Sequence, residues 1–175
     1  MSNLTSDGIV DSIGGPGPFQ FDLPVDAGSK VFHGSLCTQL TATGMVVPYS
    51  TASAGVVVGV AQHAADNTAS GAADGDKRVR IETKRVFCFD NGSDAFSEAS
   101  LIGSVAYGTD DHTVANSSSS LTRKAVGFFM GMETDGKVRV YVDPCMAAIV
   151  NALQSLTDTP ATADALRDNI VAIFG

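Results

Sequence analysis

The feature that most constrains the fold is an apolar run followed by an alternating basic run, a combination that occurs twice. In residues 56–82 a long polar loop joins the two runs, as "VVVGVAQHAADNTASGAADGDKRVRIE". In residues 124–142 the connection is short, as "KAVGFFMGMETDGKVRVYV". β-Branched runs with period-two alternation, bounded by Gly, Ser, Asp or Asn, are typical of strands. The chain is therefore expected to be mainly β.

Four short segments recur in the same order along the chain, which indicates an internal duplication of a small β unit with shorter loops in the second copy. Chance similarity between short Val- and Gly-rich strands is the alternative. The predicted units are residues 28–89 and 102–142. The paired segments are "KVFHG" (30–34) with "SVAYG" (104–108), "VVPYS" (46–50) with "TVANS" (113–117), "VVGVA" (57–61) with "AVGFF" (125–129), and "RVRIE" (78–82) with "VRVYV" (138–142).

The loops between these runs differ in length. Asp135-Gly136 in the second copy is a strong signal for a tight β-hairpin, because both residues accept positive φ. In the first copy residues 63–76 separate the corresponding strands. A loop of that length in a compact β-domain is usually functional or mobile.

Residues 1–27 precede these repeats and are expected to form an extended N-terminal arm. Glycines and prolines in "GGPGPFQFDLP" break regular structure, after which Phe19, Phe21 and Leu23 alternate with polar residues. We expect this half-apolar segment to dock on a neighbouring chain. A disordered leader is the alternative.

The period changes after residue 143, so the chain divides into an arm (1–27), a β-domain (28–143) and a helical segment (144–175). The first predicted helix carries its apolar residues at Met146, Ile149, Val150 and Leu153. A second begins at Thr159-Pro160 and continues through Leu166, Ile170 and Ile173. These helices either close the core of their own domain or pack against other subunits.

Charge and composition exclude several classes of function. Eleven basic against 19 acidic residues give a net charge of −8, so a phosphate-binding surface is not expected and nucleic acid is an unsuitable partner. No secretory signal or membrane-spanning run is indicated, and a membrane is not expected as a partner. Three widely spaced cysteines predict free thiols in a reducing cytoplasm rather than a disulfide framework.

Catalytic signals are weak, and no catalytic, cofactor-binding or metal-binding residues are predicted. His33, His63 and His112 lie in different segments. His33 and Cys37 would share a face of one strand, but two ligands do not make a metal site. A small β-barrel enzyme or ligand binder that uses these histidines is the third hypothesis, and a deep pocket gathering two of them would favour it.

The remaining notable cluster contains five of the chain's 11 basic residues within nine positions. Strand alternation places Arg78 and Arg80 opposite Val79 and Ile81, on an exposed face. The cluster is either a solvated strand face or a patch that docks on an acidic protein surface. Its members are Lys77, Arg78, Arg80, Lys84 and Arg85.

Residues 28–142 resemble the capsid cement, or head decoration, proteins of tailed bacteriophages. The resemblance lies in "AGSKVFHGSL", in "VVVGVAQHAADNTASG" with "GDKRVRIETKRVF", and in "LIGSVAYGTDDHTVANSSSS" leading into "KAVGFFMGMETDGKVRVYVDP". It implies a small β-barrel or β-tulip-like domain, commonly a homotrimer, with an N-terminal arm that makes some of the contacts. The helices from Cys145 onward are not part of this pattern.

The function implied is that of a non-enzymatic structural protein without cofactors. Such a protein is made in the host bacterial cytoplasm, binds the outer surface of the phage head in the virion, and bridges subunits of the major capsid protein. The alternative is a head-fibre or tail-associated structural protein that trimerises through its C-terminal helices. The arm residues Phe19, Phe21 and Leu23, with the basic cluster, are the expected partner-binding residues.

Overall fold

A computed structural model describes residues 18–157, and the predicted mainly β fold is confirmed. The described part contains twelve strands and one helix. These are β1 (Phe19–Pro24), β2 (Lys30–Val31), β3 (Leu36–Leu40), β4 (Val46–Pro48), β5 (Gly55–Ala61), β6 (Ala65–Asp66), β7 (Arg78–Thr83), β8 (Arg85–Asn91), β9 (Val105–Gly108), β10 (Thr113–Ala115), β11 (Ala125–Met132), β12 (Val138–Val142) and α1 (Pro144–Thr157).

The main strands form two units with the same topology. In the first unit, residues 19–83, the order is β1-β7-β5-β3-β4, and in the second unit, residues 85–142, it is β8-β12-β11-β9-β10. The second unit is a closed barrel because β10 pairs in parallel with β8. At the corresponding place the first unit has a single parallel bridge, Val25 to Val46.

The two units also share hydrogen-bond register. The amide of Gly34 donates to the carbonyl of Ala61 at 2.8 Å, and the amide of Gly103 donates to the carbonyl of Phe129 at the same distance. Both glycines lie in a turn with φ of +87°. The stretches "VVGVA" and "AVGFF" therefore occupy corresponding positions, β5 and β11.

Other predicted pairings are shifted. "KVFHG" forms β2 and a turn, whereas its expected partner "SVAYG" contains β9, which corresponds to β3. "RVRIE" corresponds to residues 137–141, one position earlier than predicted, because Ile81 pairs with Phe21 as Val140 pairs with Phe87. "VVPYS" and "TVANS" are likewise offset by one residue, since Val46 and Val114 make the equivalent parallel bridges.

Close approach of the neighbouring backbone explains why each repeated strand has a glycine in its middle, Gly59 in β5 and Gly127 in β11. A Cβ on Gly59 would lie 2.5 Å from the carbonyl oxygen of Glu82, and one on Gly127 would lie 2.1 Å from that of Tyr141. Glu82 and Tyr141 occupy corresponding positions on β7 and β12. Neighbouring backbone thus passes too close for any side chain, at a strand irregularity that both units share.

The N-terminal boundary differs from the prediction. Residues 19–24 are not a free arm but β1, paired along its length with β7. Phe21 and Leu23 pack against the core of the first unit, which includes Val79 and Ile81. The period-two pattern correctly indicated a strand, but the apolar side of that strand packs on the core of the same chain. Residues 1–17 lie outside the described residues.

Helix α1 confirms the first predicted helix but presents a different face to the protein. Asp143 caps it, since its Oδ1 accepts from the amides of Cys145 (3.0 Å) and Met146 (3.3 Å). The helix packs on β5 and β11. Asn151 contributes to this contact by exchanging two hydrogen bonds with the backbone of Ala125, at 2.7 and 3.2 Å. The second predicted helix lies outside the described residues.

The long loop of the first unit is tied to the body of the protein. Its residues 65 and 66 form β6, which pairs with β2. Buried Asn67 donates from its amide nitrogen to the carbonyls of Val25 (3.1 Å) and Ala73 (3.0 Å). These bonds satisfy backbone groups that would otherwise lose their hydration on burial.

Alanine at the two strand glycines tests the close approach of the neighbouring backbone. We expect Gly127→Ala to lower the free energy of unfolding by about 3 kcal/mol, because the added Cβ overlaps a carbonyl oxygen and the backbone must shift. We expect Gly59→Ala to lower it by at least as much, because its φ of +140° adds backbone strain to the same overlap. The measurement is chemical denaturation monitored by circular dichroism.

Gly131→Ala is the matched control. Gly131 lies on the same strand as Gly127 with φ of +125° and open space around it. We expect a smaller loss, about 1 kcal/mol, from backbone strain alone. Equal losses at Gly127 and Gly131 would contradict the packing explanation.

Candidate interaction surfaces

The basic cluster lies at the junction of β1, β7 and β8. Arg78 and Arg80 are exposed while Val79 and Ile81 are fully buried, so the predicted alternation is confirmed. Both arginines contact Asp22 on β1. Arg78 donates from Nη2 to its carbonyl oxygen at 2.7 Å, and Nε of Arg80 lies 3.4 Å from its Oδ1. These two side chains therefore help to hold β1 against β7.

Lys84 and Arg85 are also engaged within the chain. The ammonium of Lys84 lies 4.7 Å from the ring centroid of Phe19, a cation–π contact. Arg85 Nη1 donates to Glu82 Oε1 at 3.1 Å, and the Glu82 side chain is only 4% exposed. Of the cluster, Lys77 is exposed and the other four members have these internal partners. The sequence did not reveal these acidic and aromatic partners, because strand pairing brings them together.

Large exposed apolar side chains occur at the same turn in both units. The turn before β3 carries Phe32, which is 56% exposed, and the turn before β9 carries Leu101 (78%) and Ile102 (63%). In each turn a serine amide donates a hydrogen bond to the carbonyl oxygen of the first residue of the turn. Ser35 donates to Phe32 at 3.1 Å, and Ser104 donates to Leu101 at 3.0 Å. Our sequence reasoning missed this surface. The available signal was the shared "GS" in "FHGS" and "LIGS".

A cleft of about 500 Å³ lies between the two units. The two units meet there through Asp111, whose Oδ2 accepts from Ser35 Oγ at 2.7 Å and whose carbonyl oxygen accepts from the Leu36 amide at 2.7 Å. Polar and titratable groups dominate the lining. They are His33, Ser35, Cys88, Asp90, Asp111, His112 and Lys137.

The cleft gathers two of the three histidines, although it is a shallow site. His33 and His112 are both exposed, so within residues 18–157 these two histidines do not line a deep pocket of the kind that the enzyme or ligand-binding hypothesis requires. His63 lies elsewhere, with Nε2 3.4 Å from the carbonyl oxygen of Arg78. Nor do His33 and Cys37 share a strand face, because a turn separates them. Cys37 is buried, which raises its pKa to about 12.

Within the described part of the chain, three consecutive side chains could together hold a cation. Asp110, Asp111 and His112 have ligand atoms within 4.8 Å of one another. His112 Nδ1 lies 2.8 Å from Asp111 Oδ1 and 3.1 Å from Asp110 Oδ1. The hydrogen bond to Asp111 raises the pKa of His112 above its ordinary value. The two carboxylates therefore stabilise the protonated form of the imidazole. Their oxygens already contact His112, where a bound cation would have to compete.

Comparison with known proteins adds no relative. No protein-family model, curated protein or solved structure matches the chain. Among the described residues, no helix has the length and apolar content needed to cross a membrane.

The pairing of Arg85 with buried Glu82 can be tested by removing the arginine. We expect Arg85→Ala to lower the free energy of unfolding by about 1–3 kcal/mol, because it leaves a buried carboxylate without its cationic partner. Lys77→Ala is the control, since Lys77 is exposed. We expect it to change stability by no more than about 0.5 kcal/mol. Similar unfolding curves for the two variants would argue against a structural role for Arg85.

Titration of His112 tests the geometry of the cleft. We expect its imidazole to titrate above pH 6.5, as followed by NMR, and Asp111→Asn to lower its pKa more than Asp110→Asn does. Since the folded pKa is raised, the stability from this contact is fully present below about pH 6.5 and is lost as pH rises through the folded pKa. An unchanged His112 titration in Asp111→Asn would contradict the assigned hydrogen bond.

Proposed function

We propose that this chain is a structural virion protein that binds the outer surface of a phage head and bridges subunits of the major capsid protein. It acts as a homotrimer, without cofactors or catalysis. The partner and the location follow from the resemblance of residues 28–142 to capsid cement proteins. The surface available for docking supports the proposal independently.

The observation that carries the proposal is the pair of exposed apolar turns. Clustered apolar side chains that a protein exposes to solvent mark interaction sites. Here Phe32 in one unit and Leu101 with Ile102 in the other lie in equivalent turns of two units with the same topology. One chain thus presents two docking points of related geometry, which suits a protein that bridges neighbouring copies of one capsid subunit.

Several weak contacts acting together would give strong binding to the head. Each turn buries only a few side chains, so a single contact is expected to be weak. Two turns in one chain, multiplied in a trimer, bind at high effective concentration once the first contact forms. A regular capsid lattice supplies the matching repeated sites.

The placement of α1 bears on the fibre alternative. In that alternative the C-terminal helices trimerise the protein. Helix α1 instead packs on β5 and β11 of its own chain, with Ala147 buried and Asn151 bonded to Ala125. This contact favours a compact surface-binding protein over a fibre base.

Binding to purified expanded heads tests the proposal. We expect Phe32→Ser, and the double variant Leu101→Ser with Ile102→Ser, each to weaken binding by about tenfold or more, since burying one such side chain contributes about 1.5–3 kcal/mol. Cosedimentation at several protein concentrations measures the affinity. Val86→Ser is the matched control, because it removes an exposed apolar side chain from a strand of the second unit.

Three outcomes would count against the proposal. Wild-type protein that does not bind expanded heads contradicts the function itself. Equal weakening by Val86→Ser contradicts the role of the turns. A copy number of only a few per virion, measured by mass spectrometry, would instead favour a fibre or tail component.

A further inference from the structure

One polar atom in the long loop of the first unit is buried without a hydrogen-bond partner. Asn67 is 1% exposed, and its Oδ1 atom accepts no hydrogen bond from any residue in the described range 18–157. Folded proteins seldom leave such an atom unsatisfied, because it loses its hydration on burial. A partner from outside these residues is therefore expected.

The orientation of the Asn67 side-chain amide follows from its surroundings. Its Nδ2 atom lies within hydrogen-bond distance of three carbonyl oxygens, those of Val25 (3.1 Å), Asp26 (3.3 Å) and Ala73 (3.0 Å). The reversed amide would place an oxygen against three other oxygens, so only this orientation is favourable. The backbone amide and carbonyl of Asn67 are also engaged, with residues 28–29 at 2.9 and 3.0 Å. Oδ1 is thus the polar atom of Asn67 that remains for a ligand.

Asn67 lines a cleft of about 450 Å³, together with Ser70, Asp76 and Lys77 of the same loop. Ala73 connects Asn67 to Asp76, because its carbonyl oxygen accepts from Asn67 Nδ2 at 3.0 Å and from the Asp76 amide at 3.2 Å. The Ala73 amide donates in turn to Asp76 Oδ2 at 2.8 Å, which leaves Asp76 Oδ1 available. A buried amide oxygen and a carboxylate oxygen therefore belong to one cleft.

The chemistry of these atoms favours a hard metal cation as the ligand. Asn67 Oδ1 and Asp76 Oδ1 are both acceptors, and the Ser70 hydroxyl offers a third oxygen. Almost none of the Oδ1 surface of Asn67 is accessible to water, which favours a small ion over an organic ammonium group. Ca²⁺ accepts carboxylate, amide and water oxygens at about 2.3–2.6 Å in flexible geometry, whereas Mg²⁺ requires a near-ideal octahedron. An irregular loop suits Ca²⁺ better.

From these contacts we propose that the cleft of the long loop binds a calcium ion through Asn67 and Asp76. The ion is structural, since it fastens the loop and satisfies the buried Asn67 oxygen. The inference goes beyond the proposed function, because this ion takes no part in the contact with the phage head. Lys77 also lines the cleft, but it is exposed and its long side chain can hold the ammonium group in solvent.

Calcium titration of the full chain tests the proposal. Amide NMR spectra at about 0.15 M ionic strength follow the binding, with Mg²⁺ titrated in parallel. We expect saturable shifts centred on residues 67–77, with a Kd for Ca²⁺ of about 1 mM or tighter and binding of Mg²⁺ at least about tenfold weaker. The absence of a saturable response to Ca²⁺, or equal responses to the two ions, would overturn the proposal.

Two matched substitutions in the loop locate the site. Asp76→Asn keeps an oxygen for the Ala73 amide but removes the negative charge, and we expect Ca²⁺ affinity to fall at least about tenfold. Asp74→Asn is the control, since it removes the same charge from the same loop. Asp74 accepts from the Ala27 amide at 2.9 Å and does not line the cleft, so we expect a change of less than about threefold. Equal weakening by both substitutions would contradict the assigned site.

Thermal unfolding provides a second measurement of the same site. An ion that binds only the folded chain raises the midpoint of unfolding, by about 3–6 °C at a Ca²⁺ concentration ten times the Kd. We expect Asp76→Asn to remove this rise and Asp74→Asn to retain it. A wild-type midpoint that does not respond to Ca²⁺ would also overturn the proposal, and this result remains decisive even if a variant fails to fold.

Discussion

The arrangement of the whole protein depends on the apolar contact between its two units. Side chains on the outer face of the first unit, including Leu36, Val57 and Val60, belong to the same buried cluster as the interior of the second unit. Tyr49 fixes the contact, since its hydroxyl donates to the carbonyl of Gly108 at 3.0 Å and accepts from the amide of Lys124 at 3.2 Å. Burial raises the pKa of Tyr49, so the hydroxyl keeps its proton and can donate. The cleft and the relative placement of both exposed turns follow from this contact.

The two units share one topology but complete it differently. The second unit closes its barrel by strand pairing, whereas the first has one bridge at that position and adds the small β2–β6 pair beside it. The loop that carries β6 accounts for the unequal spacing of the two repeats. Extra residues in the first copy thus provide an additional layer over its core, fastened by Asn67.

The sequence predicted the features that arise from local patterning. Alternation identified the strand faces around Val79 and Ile81, and the Val-Gly runs located β5 and β11. The exact alignment of the two repeats was harder to predict from the sequence. In runs rich in valine, a shift of one residue leaves the sequence similarity almost unchanged. Phe21 and Leu23 were assigned to a docking arm because long-range pairing with β7 leaves no local signal. The packing face of α1 was missed because Asn151 satisfies two backbone groups of Ala125, a contact that hydrophobic spacing does not detect.

The interaction surfaces illustrate the same limit. Exposure of Leu101 and Ile102 depends on how the turn before β9 projects from the barrel, which only the assembled fold defines. The partners of the basic cluster, Asp22 and Glu82, become neighbours through strand pairing and through the one-residue connection from β7 to β8.

That connection has a mechanical consequence. Phe19, at the start of β1, pairs with Thr83, which immediately precedes Lys84 and the second unit. A pulling force between residue 18 and the second unit therefore acts on one end of the β1–β7 ladder. The ladder opens like a zipper from Phe19, one hydrogen-bonded pair at a time, instead of sharing the load among all its bonds. The Lys84–Phe19 contact lies at the point where such peeling begins.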